Sequence, residues 1–331
     1  MERIYPSYYN DFHCIAAGCP DSCCQEWDVQ VDGESARRYA AIGGALGDDL
    51  RRDLYREDGE VYLRNRGGRC PMWRSDGLCR IQAELGHDAL CQVCREFPRL
   101  RQDYGSFLEL GLEMSCPEAA RIMLSAEDWH LVTETVAGGE APEYDGEAMA
   151  LLRQTRPRAL ALLEDGRFSI PERLAVLLMY GYHVQAALDG GDLTAFDPSD
   201  ALAEAREFAG AGDPGALPEF YRGLEILTVR WREKLSAGAG APNWDRKLLN
   251  FAQYGVYRYY YQAVLDYDLT GRVKMVISGC ILTALLGAEE RTIQLYAKEI
   301  ENDAENVDAL LDGAYAHPAL TDANLLGILL K

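Results

Sequence analysis

The stretch "FHCIAAGCPDSCCQEW", residues 12 to 27, sets four cysteines within sixteen positions, two of them adjacent. Working outward, Cys14, Cys19, Cys23 and Cys24 are followed by Cys70, Cys79, Cys91, Cys94 and Cys116. Only Cys280 falls beyond residue 117. A chain of 331 residues with 48% hydrophobic content buries a sizeable core and needs no crosslinks to fold. Its start, "MERIYPSYYN", lacks the basic and then apolar pattern of a secretory signal, and no apolar run has membrane-spanning length. The cytoplasm is therefore the expected compartment. Thiols stay reduced there, so ten cysteines point to metal binding or chemistry rather than to a disulfide framework.

The cysteines also divide the chain. Up to residue 136 the sequence carries short alternating or turn-bounded runs, "WDVQVD", "GEVYLRNRGG" and "CPMWRSDGLC". Asp76-Gly77 in the last is a hairpin signal that brings Cys70 and Cys79 together. After the loop-like "AGGEAPEYDGE", residues 137 to 147, the periodicity becomes helical. "PERLAVLLMYGYHVQAALDGG" has Pro171 near a start and Gly190-Gly191 as a stop, and further helices are expected over 198–210, 216–236, 245–266, 271–287, 289–312 and 318–330. The expected fold is mainly α: a cysteine-rich domain with short strands or hairpins over 1–136, then an all-helical domain over 137–331 that offers a substrate or partner surface.

Elimination narrows the thiol chemistry. Zinc ribbons use two close CxxC pairs, whereas this chain has one, Cys91 to Cys94. Of the five histidines only His13 and His87 lie near cysteines in sequence. The ligand supply is thus thiolate, which selects zinc or an iron–sulfur cluster over hard cations. Three Cys–Pro pairs, at Cys19, Cys70 and Cys116, favour the cluster, because Cys–Pro closes bacterial ferredoxin runs. Neighbouring side chains diverge, so Cys23 and Cys24 share one centre only where the backbone bends. Otherwise one is a packed thiol or the two serve different centres.

Three segments, "YNDFHCIAAGCPDSCCQEWDVQVDGESARRY" from Tyr9, "GRCPMWRSDGLCRIQAELGHDALCQVCREFPR" and "MSCPEAARIML", resemble the flagellin lysine-N-methylase family, as does the later "LLNFAQYGVYRYYYQAVLDYDL". The resemblance implies S-adenosylmethionine-dependent N-methylation of a protein lysine, with flagellin as the kind of substrate. It also implies an iron–sulfur cluster, 4Fe-4S in type, held by the cysteine-rich part, and relates Cys14, Cys19, Cys23, Cys24, Cys70, Cys79, Cys94 and Cys116 to the family's cysteines. Cys91 stands where a small residue is expected, and Cys280 lies outside the pattern.

No cofactor motif accompanies the resemblance. Cys19-x3-Cys23-Cys24 is not the CxxxCxxC of radical S-adenosylmethionine enzymes, and "RNRGGRC" and "SAGAGAP" lack the spacing and preceding strand of a dinucleotide-type fingerprint. Arg95 and Arg99 in "CREFPRLR" are the candidates for holding the cofactor's carboxylate. The net charge of −20 excludes nucleic acid and anionic membrane as main partners and steers a cationic side chain inward. Tyr254 to Tyr261 form a helical aromatic stripe, read first as core and, under the methylase reading, as faces for a lysine stem. The competing class is a non-catalytic zinc- or iron-binding module serving structure, storage or redox sensing.

Overall fold

The computed structural model describes residues 1–331. It is mainly helical, and all seven strands precede residue 136. They are β1 (Glu2–Pro6), β2 (Val29–Gln30), β3 (Leu54–Glu57), β4 (Glu60–Leu63), β5 (Arg99–Asp103), β6 (Phe107–Leu112) and β7 (Leu131–Thr135). A four-stranded sheet has the order β5-β6-β1-β7, with β1 parallel to β6 and antiparallel to β7. A smaller sheet, β2-β4-β3, closes through Asp58-Gly59, both at positive φ, as a tight hairpin of right-twisted strands requires.

The mixed-to-helical change falls at the end of β7, while packing draws a different division. One small core joins Val29, Tyr39, Leu50, Leu63, Met72, Ile81 and Leu90 with Cys70 and Cys91. The large core runs from Ile4, Tyr8 and Phe12 through Phe107 and Met114 to the C-terminal helices. The four-stranded sheet thus packs with the helical part, and the β2-β4-β3 module carries its own core.

Helix starts follow capping chemistry. Asp145, Asp197, Thr228, Asp268, Asp303 and Thr321 each accept a backbone N–H of the first turn, and Ser169 with Glu172 forms a capping box. These caps correct two expected elements. The helix expected over 216–236 is two, Ala216–Arg222 and Val229–Ser236, because Gly223 ends the first and Thr228 caps a second. The helix expected over 289–312 is broken at Asn302-Asp303 into Glu290–Tyr296, a π-helical turn Ala297–Glu301, and Ala304–Ala316.

Leu269–Leu285 is the central helix, buried at every residue. Lys247–Tyr259 approaches it closely because Gly255 has no side chain: a Cβ there would sit 2.6 Å from Val276 Cγ2. Gly279 gives Tyr296 the same access, with a would-be Cβ 2.8 Å from its ring. Cys280, on the same helix, is fully buried, and its thiol lies 3.7 Å from the Leu248 carbonyl, away from every other cysteine. It packs as a small apolar residue.

Candidate functional site

Phe12 anchors the cysteine loop in the large core, and a single 3-10 turn, Ala16–Gly18, follows at the surface. The loop then lies along the segment before Cys70. Cys70 N–H donates to the Cys24 carbonyl at 2.8 Å and Glu26 N–H to the Gly68 carbonyl at 3.1 Å. The expected Asp76-Gly77 turn is present, with Gly77 at φ 82° and Trp73 bridged to Cys79. Cys79, Cys91 and Cys116 each stand immediately before a helix, at Arg80–Leu85, Gln92–Glu96 and Pro117–Ser125. Burial pushes the Cys79 and Cys116 thiols up, and backbone N–H groups of those first turns offset part of that rise.

Nine thiols form one electrostatically linked group. Cys23 and Cys70 donate hydrogen bonds to Cys24, and these push the Cys24 thiol far below its ordinary value while its two donors are pushed up. Cys94 does the same for Cys91, whose thiol falls to about 7. Cys79 lies within charge range of Cys24 and Cys91, and Cys94 within range of Cys23 and Cys24. On the other side, Cys14 and Cys116 act on Cys23, and Cys14 and Cys19 on Cys116, which burial pushes up to about 11. The chain bend at Cys23-Cys24 lets both sulfurs meet. No three of these thiols, or of any His, Asp or Glu side chains, are drawn into metal-holding geometry. His13 and His87 are exposed at the surface. Were a metal held here, the donors on hand would be thiols, a composition that suits iron–sulfur clusters or zinc and not hard cations.

The contact that seats this loop on the helices centres on Asp21, whose fully buried carboxylate is 2.9 Å from Lys298 Nζ, 2.9 Å from Arg291 and 3.3 Å from Arg230. Burial pushes the Asp21 carboxyl up, and the three cations outweigh it to hold it below its ordinary value. Lys298 also pairs with Glu26 at 2.7 Å and lies 4.9 Å from the Trp27 ring. Lys298, Glu299 and Glu301 all belong to the π-helical turn, a local widening that re-aims side chains and recurs at functional sites. Glu301 accepts from Tyr254 at 2.6 Å and from Arg258 at 3.1 Å, and the Met114 N–H reaches the same Tyr254 hydroxyl at 3.5 Å. Sequence reasoning missed Asp21, Arg291 and Lys298; a run of charges inside an apolar helical region, "EERTIQLYAKEIE", was the signal for Arg291 and Lys298.

Arg95 has no carboxylate partner, and Arg99 donates only to the Phe12 carbonyl at 3.4 Å while facing the Phe12 and Tyr9 rings. Neither forms an ion pair, and Arg99 lies beside Phe12, where the cysteine loop begins. The tyrosine stripe is different. Tyr254, Tyr257, Tyr259, Tyr260 and Tyr261 are all buried, and Tyr261 and Tyr257 cover Arg156, 3.5 and 5.0 Å from their ring centres. Arg156 is itself buried against Glu109. The core reading of the stripe holds, and the reading as open faces for a lysine stem is corrected, because internal groups occupy those faces.

Fold and loop define a mainly helical protein with a thiol-lined N-terminal module. Over 130 residues, 37% of its length, the chain is 31% identical to the flagellar biosynthetic protein FliU of Salmonella muenchen, covering 77% of that protein; it belongs to that protein's family. It is also 29% identical over 136 residues to lysine-N-methylases of Salmonella choleraesuis and Salmonella typhimurium, in each case over 39% of this chain and 34% of the relative. The chain thus spans about a third of the length of those two methylases. No family model and no solved structure matches it. No helix is long and apolar enough to cross a membrane.

Proposed function

We propose that the protein N-methylates lysine side chains on a protein substrate, flagellin-like in kind, with S-adenosylmethionine as methyl donor and an iron–sulfur cluster held by Cys14, Cys19, Cys23, Cys24, Cys70, Cys79, Cys94 and Cys116. What supports this reading is the similarity to proteins named lysine-N-methylase, together with nine free thiols before residue 117. A bound cluster would supply redox or Lewis-acid chemistry at that junction. The chain's own residues have separate tasks. Asp21 and Lys298 fix the loop against the helices, and Arg95 and Arg99 are unpaired cations suited to the carboxylate of the methyl donor. The acidic balance attracts an incoming lysine over a range set by ionic strength, about 10 Å at 0.1 M salt and about 3 Å at 1 M.

The test incubates reconstituted protein, S-adenosylmethionine, a reductant and flagellin, and reads about +14 Da per methyl by mass spectrometry. Methylation at low salt that weakens at high salt is expected. An iron-loaded preparation that binds the donor yet methylates no lysine would refute the reading and leave a metal-binding module in its place.

A further inference from the structure

The β2-β4-β3 module has a groove of its own, about 410 Å³, between the helix Gly33–Ala41 and the β3-β4 hairpin. That volume falls within the range of about 300–1,000 Å³ usual for ligand sites. Its width comes from small residues: Gly33, Ala36 and Ala40, three and four positions apart, share the helix face turned to it. Val31, Leu54 and Val61 add apolar lining. The charge of the lining is positive, against the character of the chain. Arg37, Arg51 and Arg56 line the groove with Glu60 as the one carboxylate, and Glu60 accepts from Gln30 at 3.2 Å. Arg51 is occupied within the module by the Ala40 and Ile42 carbonyls, at 3.1 and 2.6 Å, and by Asp48 at 2.7 Å. Arg37 on the helix and Arg56 on β3 are exposed, and neither side chain has a partner.

The strand at the groove also has an open edge. β3 is the outer strand of the order β2-β4-β3. Arg64 N–H donates to the Asp53 carbonyl at 2.9 Å, and the register sets Tyr55 opposite Tyr62 and Glu57 opposite Glu60, so the hydrogen-bonded pairs run through Tyr55 and Glu57. The N–H and C=O of Arg56 and the C=O of Leu54 therefore point away from β4. Leu54 N–H is taken by Leu50 at the end of the helix Gly44–Asp53. An exposed edge of this kind accepts a further strand, with main-chain bonds for affinity and side-chain contacts for specificity.

We propose that this groove binds an extended acidic segment of a partner protein, paired along the β3 edge with its carboxylates on Arg37 and Arg56. Arginine suits that task, because its planar fork matches a carboxylate with two parallel hydrogen bonds. Residues 33–69 hold eight arginines and no lysine against seven carboxylates, so this segment carries none of the chain's net −20. A short acidic segment needs only the local field, which reaches about 10 Å at 0.1 M salt. A nucleic acid fits worse, since its phosphates would meet the acidic remainder of the chain. Tyr55 is the one aromatic ring in the lining, and Tyr62, stacked at 5.6 Å, and Arg64, at 4.5 Å, already cover it, leaving no face for a base. No cysteine lines the groove, nor does Arg95 or Arg99, so the inference goes beyond the methylase reading and does not rest on it.

The experiment titrates a fluorescein-labelled Asp-Val-Glu-Val-Asp-Val peptide with the full chain and follows its fluorescence anisotropy, with no methyl donor or metal added. Saturable binding is expected, weakening as salt rises from about 0.1 M to about 1 M, and about tenfold weaker in Arg37→Gln and in Arg56→Gln. Arg232→Gln, at an exposed arginine of the helix Val229–Ser236 outside the groove, should leave it unchanged. The same peptide with its amides N-methylated lacks the N–H groups that edge pairing uses and should bind about tenfold more weakly. Circular dichroism of the three surface variants should match the parent. Absence of saturation, unchanged affinity in either groove variant, or equal affinity for the N-methylated peptide, for Lys-Val-Lys-Val-Lys-Val or for a hexathymidylate would each overturn the proposal.

Discussion

Replacing Asp21 by Asn should unseat the cysteine loop. The substitution keeps shape and removes the one carboxylate that holds Lys298, Arg291 and Arg230 at 2.9, 2.9 and 3.3 Å. Lys298 is 1% exposed, so it cannot regain water, whereas Arg230 is about half exposed and loses little. Removing one partner of a buried ion pair costs about 3–5 kcal/mol. Glu26 remains 2.7 Å from Lys298 and lowers that expectation to about 2–3 kcal/mol. Asp103→Asn, which breaks an exposed pair with Arg101 at 2.9 Å, should cost less than about 1 kcal/mol and serves as control. Urea unfolding followed by far-UV circular dichroism gives these values, and iron per chain should fall in Asp21→Asn because Cys19 and Cys23 flank the lost anchor. Adding Lys298→Met removes the stranded charge, so the double variant should be more stable than the sum of the singles. An Asp21→Asn stability within about 0.5 kcal/mol of the parent, or a strictly additive double variant, would refute this account of the interface.

Protein purified without oxygen should contain iron and acid-labile sulfide, and serine at Cys24, Cys70, Cys79 or Cys116 should lower both, while Cys280→Ala leaves them unchanged; a colourless protein with stoichiometric zinc under strict anaerobiosis contradicts this. Arg95→Gln and Arg99→Gln should weaken S-adenosylmethionine binding severalfold in calorimetry at unchanged iron content, and unchanged affinity in both assigns these arginines to the surface. Asp32 accepts the Ser35 N–H at 2.9 Å and the Gln92 N–H at 2.8 Å, so it caps one helix and holds the residue after Cys91. Slight burial pushes its carboxyl up, but those N–H bonds outweigh it and bring it from 3.8 to about 2. A lowered value means stability that is present above the ordinary aspartate range and lost as pH falls through about 2, so the roughly 1 kcal/mol by which Asp32→Ala is less stable at pH 7 should shrink below pH 4 in urea melts.

What could be read in the sequence was local. The Asp76-Gly77 turn, a helix with Pro171 near its start and the burial of Cys280 follow from neighbours a few residues away, and the structure contains all three. The four-stranded sheet was not legible. β1 has β6 as its parallel partner about a hundred residues later, and "FLELGL" is a short apolar run that reads equally as buried helix or strand. The split helices turn on single capping residues, Thr228 and Asp303, whose effect competes with an uninterrupted helical pattern around them.

The same distinction governs the candidate site. Cysteines announce themselves by type and spacing, so the thiol group is legible in the amino-acid sequence alone. Asp21 and Lys298 are common residues, and their partnership spans 277 positions. Nothing nearby in sequence marks Lys298 as the buried cation that a cysteine loop needs. Its position does have a physical cause. An ordinary α-helical continuation through Ala297–Glu301 would rotate Lys298, Glu299 and Glu301 by the regular increment, whereas the widened turn presents them to three different partners: Asp21, the N–H groups of Leu227 and Thr228, and the Tyr254–Arg258 pair. A π-helical turn carries weaker backbone geometry than an α-helix, and three polar side chains that find partners, one of them on the cysteine loop, offset that cost. The loop's geometry is therefore set from the helical half. Substitutions in residues 297–301 should disturb the thiols as surely as substitutions beside the cysteines themselves.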